Sequence, residues 1–329
     1  MFRSVLIASF CAWRRGLPAC FCVSLFMVNG CGTPPTPIIA VIPRTSGTPF
    51  WEPVHVGAEI AARSTNIKIY WNAPTREDDI QGQIALVDAV IDRKYQGLIL
   101  APDQALALIT PVRRALSKGT HTVIIGSPLP IPAGGKLSYI LNDEEVAGQM
   151  AAARLGELLN GEGSVAILGI NPDIAGIMTR TRSIELALSR QYPRIKIIEK
   201  RAGSFNVPHD QQIAEETLQA NANLNAIVAV SSASTRGACS ALSRSSWLRS
   251  VKLIGFDEPD PALFRGDTVD SIIVQNSREM GIAAVRNIAA QLSGRAVPAE
   301  VKLKPLLLTR RNLDSREMRQ VLSMEWWRP

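Results

Sequence analysis

Short, continuous apolar runs recur along this chain between longer amphipathic stretches, and that rhythm constrains its fold more than anything else in the sequence. The runs are Ile38 to Ile42, Ile67 to Trp71, Gly97 to Ala101, Thr122 to Ile125, Ser138 to Leu141, Val165 to Leu168, Ile195 to Ile198, Ala226 to Val230, Val251 to Ile254 and Ser271 to Val274. Such apolar runs read as buried parallel strands. The stretches between them predict helices over Pro49 to Ser64, Asp78 to Asp92, Asp103 to Lys118, Asp143 to Leu159, Ile177 to Gln191, His209 to Ala220, Ser234 to Arg244 and Ser277 to Leu292. Pro49 suits a first helical turn, and Asp143, Glu144 and Glu145 suit a positive helix end. Repeated strand, crossover helix and strand units imply an α/β class of doubly wound parallel sheets.

A chain this long exceeds what one hydrophobic core organises, so two lobes are expected. Five strands precede Asn142 and five more run through Val274. We expect one lobe from residues 38–141 plus 277–302 and another from 142–276 plus 303–329. The chain would then cross three times, which makes a hinge.

The amino-terminal segment is of another kind. Arg14 and Arg15 precede an uncharged apolar stretch from Gly16 to Val28, which ends at Asn29-Gly30-Cys31 and gives way to a proline-rich linker over residues 32–37. The stretch is shorter than the ~20 residues a membrane-spanning helix needs, so residues 1–31 read as an export signal. The segment resembles a bacterial lipoprotein signal, with Val28 and Gly30 before a lipidated Cys31, although Asn29 is unusual there. The resemblance implies a membrane tether through lipid on Cys31 and a periplasmic or cell-surface location.

Once the three leader arginines, Arg3, Arg14 and Arg15, are taken from the formal +7, the rest of the chain carries +4. Basic residues are scattered among acidic ones, unlike a nucleic-acid footprint. Four of the five cysteines lie at or before position 31, leaving Cys239 alone, so no disulfide framework is expected. His55, His121 and His209 lack ligand spacing, and no metal or cofactor is expected.

Ligands of open parallel sheets sit beyond the carboxyl ends of the strands. Those positions hold Arg44, Thr45, Ser46, Phe50 and Trp51 after the first strand, Ser127 after the fourth, and Arg180 and Arg182 beyond Leu168. Phe205, Ser231, Ser232, Asp257 and Gln275 follow later strands. Flat aromatics with fork-shaped and bifunctional polar groups suit a polyhydroxylated ring.

From Ile38 to about Thr309 the chain resembles the ribose-binding-protein family of periplasmic sugar-binding proteins, whose fold is shared with the effector domains of the lactose-repressor family. The segments that carry the likeness are Ala40-Val41-Ile42 leading to Thr48-Pro49-Phe50-Trp51, Gly97 to Pro102, Thr179-Arg180-Thr181-Arg182, Ile254-Gly255-Phe256-Asp257 and Ile273-Val274-Gln275. The resemblance implies that Phe50, Trp51 and Phe205 stack on a sugar and that Arg180, Asp257 and Gln275 bond its hydroxyls; Ser127 and Ser231 are further candidate contacts by their places after strands alone. Two departures stand out. Ser127-Pro128 replaces the family's usual Asp-Arg pair, and Ser231-Ser232 replaces its usual Asn-Asp. The first loop also looks one residue longer around Arg44 to Gly47.

Each residue has a structural reading beside the functional one. Phe50, Trp51 and Phe205 are also suited to core packing, Arg182 to a solvated helix face, Asp257 to capping a short helix near Pro261, and Gln275 to a backbone bond at a lobe crossing. Arg180 and Asp257 are nevertheless expected as the main polar anchors and Trp51 as the stacking wall, so that their loss weakens binding without unfolding the protein.

Three function classes follow. The first is a monomeric solute-binding lipoprotein that delivers a sugar or related ligand to the permease of an ABC importer. The second is a sensory binding protein that docks on a chemoreceptor or histidine kinase. The third, an enzyme, is disfavoured because no Gly-x-Ser-x-Gly elbow, Cys-His pairing or metal set is present. A repressor is disfavoured because a leader and linker stand where a helix-turn-helix would precede the first strand.

Overall fold

The computed structural model describes residues 36–46, 51–76, 78–244, 251–257, 260–264 and 268–322. Phe50 and Cys31 lie outside the described residues, as does the whole predicted leader.

The first sheet contains β1 (Ile38–Ile42), β2 (Lys68–Trp71), β3 (Gly97–Leu100), β4 (His121–Gly126), β5 (Leu137–Asn142) and β11 (Glu300–Leu303), in the order β11-β5-β4-β3-β1-β2. All of its strand pairs are parallel. The second contains β6 (Glu162–Ile170), β7 (Arg194–Ala202), β8 (Ala226–Ala229), β9 (Lys252–Phe256), β10 (Val269–Val274) and β12 (Leu306–Thr309), in the order β12-β10-β9-β8-β6-β7. Here only the edge pair β10 and β12 is antiparallel. Helices α1 (Glu52–Thr65), α2 (Ile80–Asp92), α3 (Ala105–Ser117) and α8 (Ser277–Leu292) cover the first sheet. Helices α4 (Glu144–Leu158), α5 (Ala175–Gln191), α6 (Val207–Ala220) and α7 (Ser232–Arg244) cover the second, and Met318 of α9 (Arg316–Leu322) joins the same core.

Buried strands feed two cores at once because successive side chains point to opposite faces. In β1, Ile39 and Val41 pack with α1 and α8, while Ala40 and Ile42 pack with α2 and α3. In β6, Val165 and Ile167 face α4 and α5, and Ala166 and Leu168 face α6 and α7. Helices begin where short polar side chains satisfy free backbone N–H groups. Asp79 accepts from Gly82 N, Asp143 from Val146 N, Asn206 from His209 N and Asn276 from Glu279 N. Helix α8 lies so close to α1 that a Cβ on Gly57 would stand 2.0 Å from the Arg278 carbonyl oxygen, and one on Gly281 2.1 Å from that of Val54. Glycine is required at both positions.

The chain passes between sheets at β5 to α4, at β10 to α8 and at β11 to β12. Strands β11 and β12 and helix α9 have no counterpart among the elements the sequence predicts. The bounds of the rest depart from those predictions mainly at β6 and β7, which extend past their apolar centres.

Candidate functional site

A cavity of about 620 Å³ opens between the carboxyl ends of the two sheets. The first-sheet lobe contributes Arg44, Thr45, Trp51, Gly126 and Ser127 to its lining, and the second contributes Arg180, Phe205, Ser231, Asp257 and the first turn of α5, among others. Asn142 and Glu144 line it at the crossing out of β5. Gln275 stands at the next crossing, 3.4 Å from Glu144.

The first-lobe wall is aromatic. Trp51 immediately precedes α1, is only 3 % exposed, and packs with Ile39, Val41 and Met280 while presenting part of its surface to the cavity. The Arg44 guanidinium lies over its ring, 5.3 Å from the centroid, a cation–π geometry. Ser127 follows β4.

The second-lobe wall is an ion network. Arg180, 3 % exposed, donates Nε and Nη2 to the two carboxylate oxygens of Glu144 at 2.7 Å each. Its Nη1 donates to Asp257 Oδ2 and to the Val230 carbonyl oxygen, and its Cζ lies over the Phe256 ring, 4.8 Å from the centroid. Burial works against the Arg180 charge, but Asp257 and Glu144 together outweigh it and hold the guanidinium charged above its ordinary range. Burial likewise pushes the Glu144 carboxyl up, and Arg180 opposes that only in part. The neighbouring Asp257 carboxylate adds to the burial effect and raises the proton affinity of Glu144 further.

Four hydrogen bonds to the protein itself therefore occupy Nε, Nη1 and Nη2 of Arg180. Of its five N–H donors, one on Nη2 carries none of these bonds, and Arg180 lines the cavity. These partners change the expected consequence of its loss, because removing it strands two carboxylates, one of them deeply buried. Glu144 looks in sequence like a first-turn acid favouring the helix start. It is 7 % exposed and lies in the cavity wall.

Asp257 does not cap the turn near Pro261; Asp260 does, accepting from Ala262 N. Asp257 instead sits in the left-handed region at φ 61°, as does Phe205 at φ 55°. Such backbone costs roughly 1–3 kcal/mol per residue and persists where surrounding structure enforces it. Buried Asp210, on α6, fixes the Phe205 loop, since its Oδ1 accepts from both the backbone N and the hydroxyl of Ser204 at 2.9 Å. Burial raises the Asp210 carboxyl, with the Ser204 bonds opposing it. Ser231 is buried and bonded to Ser234 Oγ at 2.8 Å, so its hydroxyl serves the start of α7. Arg182 is exposed.

Among the described residues, the buried polar atoms without a hydrogen-bond partner include Asp257 Oδ1, Gln275 Oε1, Asn142 Oδ1 and Arg44 Nη1. Buried orphans of this kind cost about 1–3 kcal/mol each until something pairs with them. No group of His, Cys, Asp and Glu among the described residues is placed to hold a metal ion. The lobes already touch: a Cβ on Gly176, in the first turn of α5, would stand 3.0 Å from Ser127 Oγ and 3.1 Å from Glu144 Oε1.

Two sheets of this topology closing on a polar cleft define a two-lobed binding protein. Residues 39–296 match the family described as periplasmic binding protein domain, and the chain belongs to that family. It is 24 % identical over 271 residues to the D-allose-binding periplasmic protein of Escherichia coli (strain K12), a span covering 79 % of this chain and 86 % of that one. An ABC transporter solute binding protein from Burkholderia graminis, solved in complex with D-arabinose, is 25 % identical with a TM-score of 0.78, covering 85 % of this chain and 97 % of that chain. Another from Agrobacterium vitis, solved with bound D-fucose, shares the fold with a TM-score of 0.81 at 24 % identity, covering 87 % of this chain and 100 % of that chain. These relatives are binding and transport proteins, not enzymes.

Proposed function

We propose that this protein is an extracytoplasmic solute-binding component that captures a sugar or related polyhydroxylated ligand between its lobes and delivers it to an ABC importer. The observation that carries this reading is the set of orphaned acceptors, Asp257 Oδ1 and Asn142 Oδ1 in a cleft also lined by Trp51 and Phe205, and Gln275 Oε1 behind Glu144 of the same wall. Carboxylate and amide oxygens without donors call for a ligand rich in hydroxyl groups, and aromatic faces cover its C–H surface. Phe50, Ser127 and Ser231 complete the proposed contact set. Residues 38–141 plus 277–302 and 142–276 plus 303–329 act as the moving units. Ligand favours the closed state because only closure lets both walls touch it.

Cys31 is proposed as the lipidation site, with residues 32–37 as an extended tether. Mass spectrometry of the mature amino terminus checks this; an unmodified terminus beyond Cys31, or an intact leader, contradicts it. A thermal-shift screen against aldoses, ketoses, polyols and sugar acids tests the binding reading. A ligand at 100 times its Kd stabilises the fold by about 2.7 kcal/mol. A screen in which carbohydrates leave the transition unmoved while another metabolite class raises it contradicts the sugar assignment.

A further inference from the structure

The orphaned groups at the cleft have opposite polarity on opposite walls. On the second wall and at the crossings they are acceptors; on the first wall the orphan is a cationic donor, Arg44 Nη1. The other guanidinium groups lining the cavity have carboxylate neighbours. Arg76 pairs with Asp78 at 3.0 Å, Arg180 with Glu144 and Asp257, and Arg236 lies 3.9 Å from Asp260. Arg44 has no ion pair with any described residue, is half-buried, and is held against the Trp51 ring. A neutral hydroxyl meets the hydrogen-bonding need of such a group but leaves its charge unbalanced in a partly desolvated site. A carboxylate or phosphate meets both, and matches the planar fork.

We infer that the preferred ligand is a polyhydroxylated anion, a sugar bearing a carboxylate or phosphate, with its charged end on Arg44 and its hydroxyl groups on Asp257 and Gln275. This inference rests on the carbohydrate-binding reading of the cleft. It sets the anion on the first lobe, away from the Glu144 and Asp257 carboxyl groups of the second wall, so the two ends of the site select the orientation of the ligand as well as its charge.

The test is calorimetric titration of the exported protein with matched sets: D-aldoses, their aldonic and uronic acids, and their phosphate esters. At least one acid or ester is expected to bind tenfold or more tightly than its neutral parent. A leading carboxylate arm identifies a sugar acid, and a leading phosphate arm a sugar phosphate. In Arg44→Gln the preference should shrink to under twofold, whereas exposed Arg182→Ala should titrate like the wild type. Arg44→Lys, which keeps the charge without the fork, should retain an intermediate preference. Neutral parents binding as tightly as their acids and esters would overturn the inference while leaving the sugar-binding reading intact. A preference that survives in folded Arg44→Gln, or disappears in Arg44→Lys, overturns it equally. If no carbohydrate in any arm binds, both readings fall together.

Discussion

The two walls of the cleft stand on equivalent places in two similar sheets, yet they are built by opposite physics. The first-lobe wall is Trp51 set into an apolar core with a single cation laid over it. The second is an ion network in which Arg180 bridges Glu144 and Asp257. An aromatic wall offers area and shape and tolerates small displacements. A buried ion network tolerates few, since each charge relies on its partner for the solvation it lost. On the proposed binding role, that difference would give stereochemical precision to the second lobe and covering contact to the first.

The largest break in this comparison is Arg180→Ala. Leaving Glu144 and Asp257 without their cation should cost about 3–5 kcal/mol of stability in denaturant unfolding at neutral pH. Adding Glu144→Gln, which removes the more buried stranded charge, should recover part of that loss. A single variant as stable as wild type would show that the network is not a structural unit. Trp51→Ala should cost about 3–5 kcal/mol as well, through the cavity left in the first-lobe core, but here neutralising a nearby charge should recover nothing. Equal rescue of both variants by Glu144→Gln would erase the distinction between the walls.

Much of the scaffold is visible in the sequence, because buried strands and amphipathic helices are local patterns. Strand β1 and helix α8 have the bounds that their residues predict. Strands β11 and β12 escape such a reading because they are short edge strands, with polar residues alternating in Glu300–Leu303 and no long buried run in either. The site is less legible for a related reason. Strand-end logic locates Trp51, Arg180, Asp257 and Gln275, but the role of Glu144 depends on the packing of α4 against α5. There a Cβ on Gly148 would come within 2.5 Å of the Arg180 carbonyl oxygen. No spacing within the chain encodes that approach; only an acid following Asp143 at a strand end hints at it. Asp210 escapes likewise, since in sequence it looks like an ordinary first-turn acid and nothing local shows its bonds to the Ser204 N–H and hydroxyl.

A smaller effect sharpens the seam between the walls. Gly176→Ala places a methyl group tight against Ser127 Oγ and Glu144 Oε1. It should weaken ligand binding severalfold in calorimetric titration, because the buried methyl crowds the seam between the two walls. Unchanged affinity would mean that the contact is absent from the bound state. The smallest expected effect belongs to Asp210. Its carboxyl is raised in the folded protein, so its protonated form is favoured by folding, and its contribution to stability falls as pH rises from the ordinary Asp range through the raised value. Asp210→Asn should flatten that part of the stability profile measured by denaturant unfolding across acidic pH; an unchanged slope would assign it to other carboxyls.

The proposed binding role of the cleft depends on capture of a hydroxylated ligand by the Asp257 oxygen that has no partner within the protein. The direct measurement is calorimetric titration of Asp257→Asn, with Arg182→Ala beside it, using the carbohydrate that gives the largest thermal shift in the wild type. The expected result is a loss of about 2–5 kcal/mol of binding free energy for Asp257→Asn in a folded protein, and wild-type affinity for Arg182→Ala. Wild-type affinity in folded Asp257→Asn would contradict it.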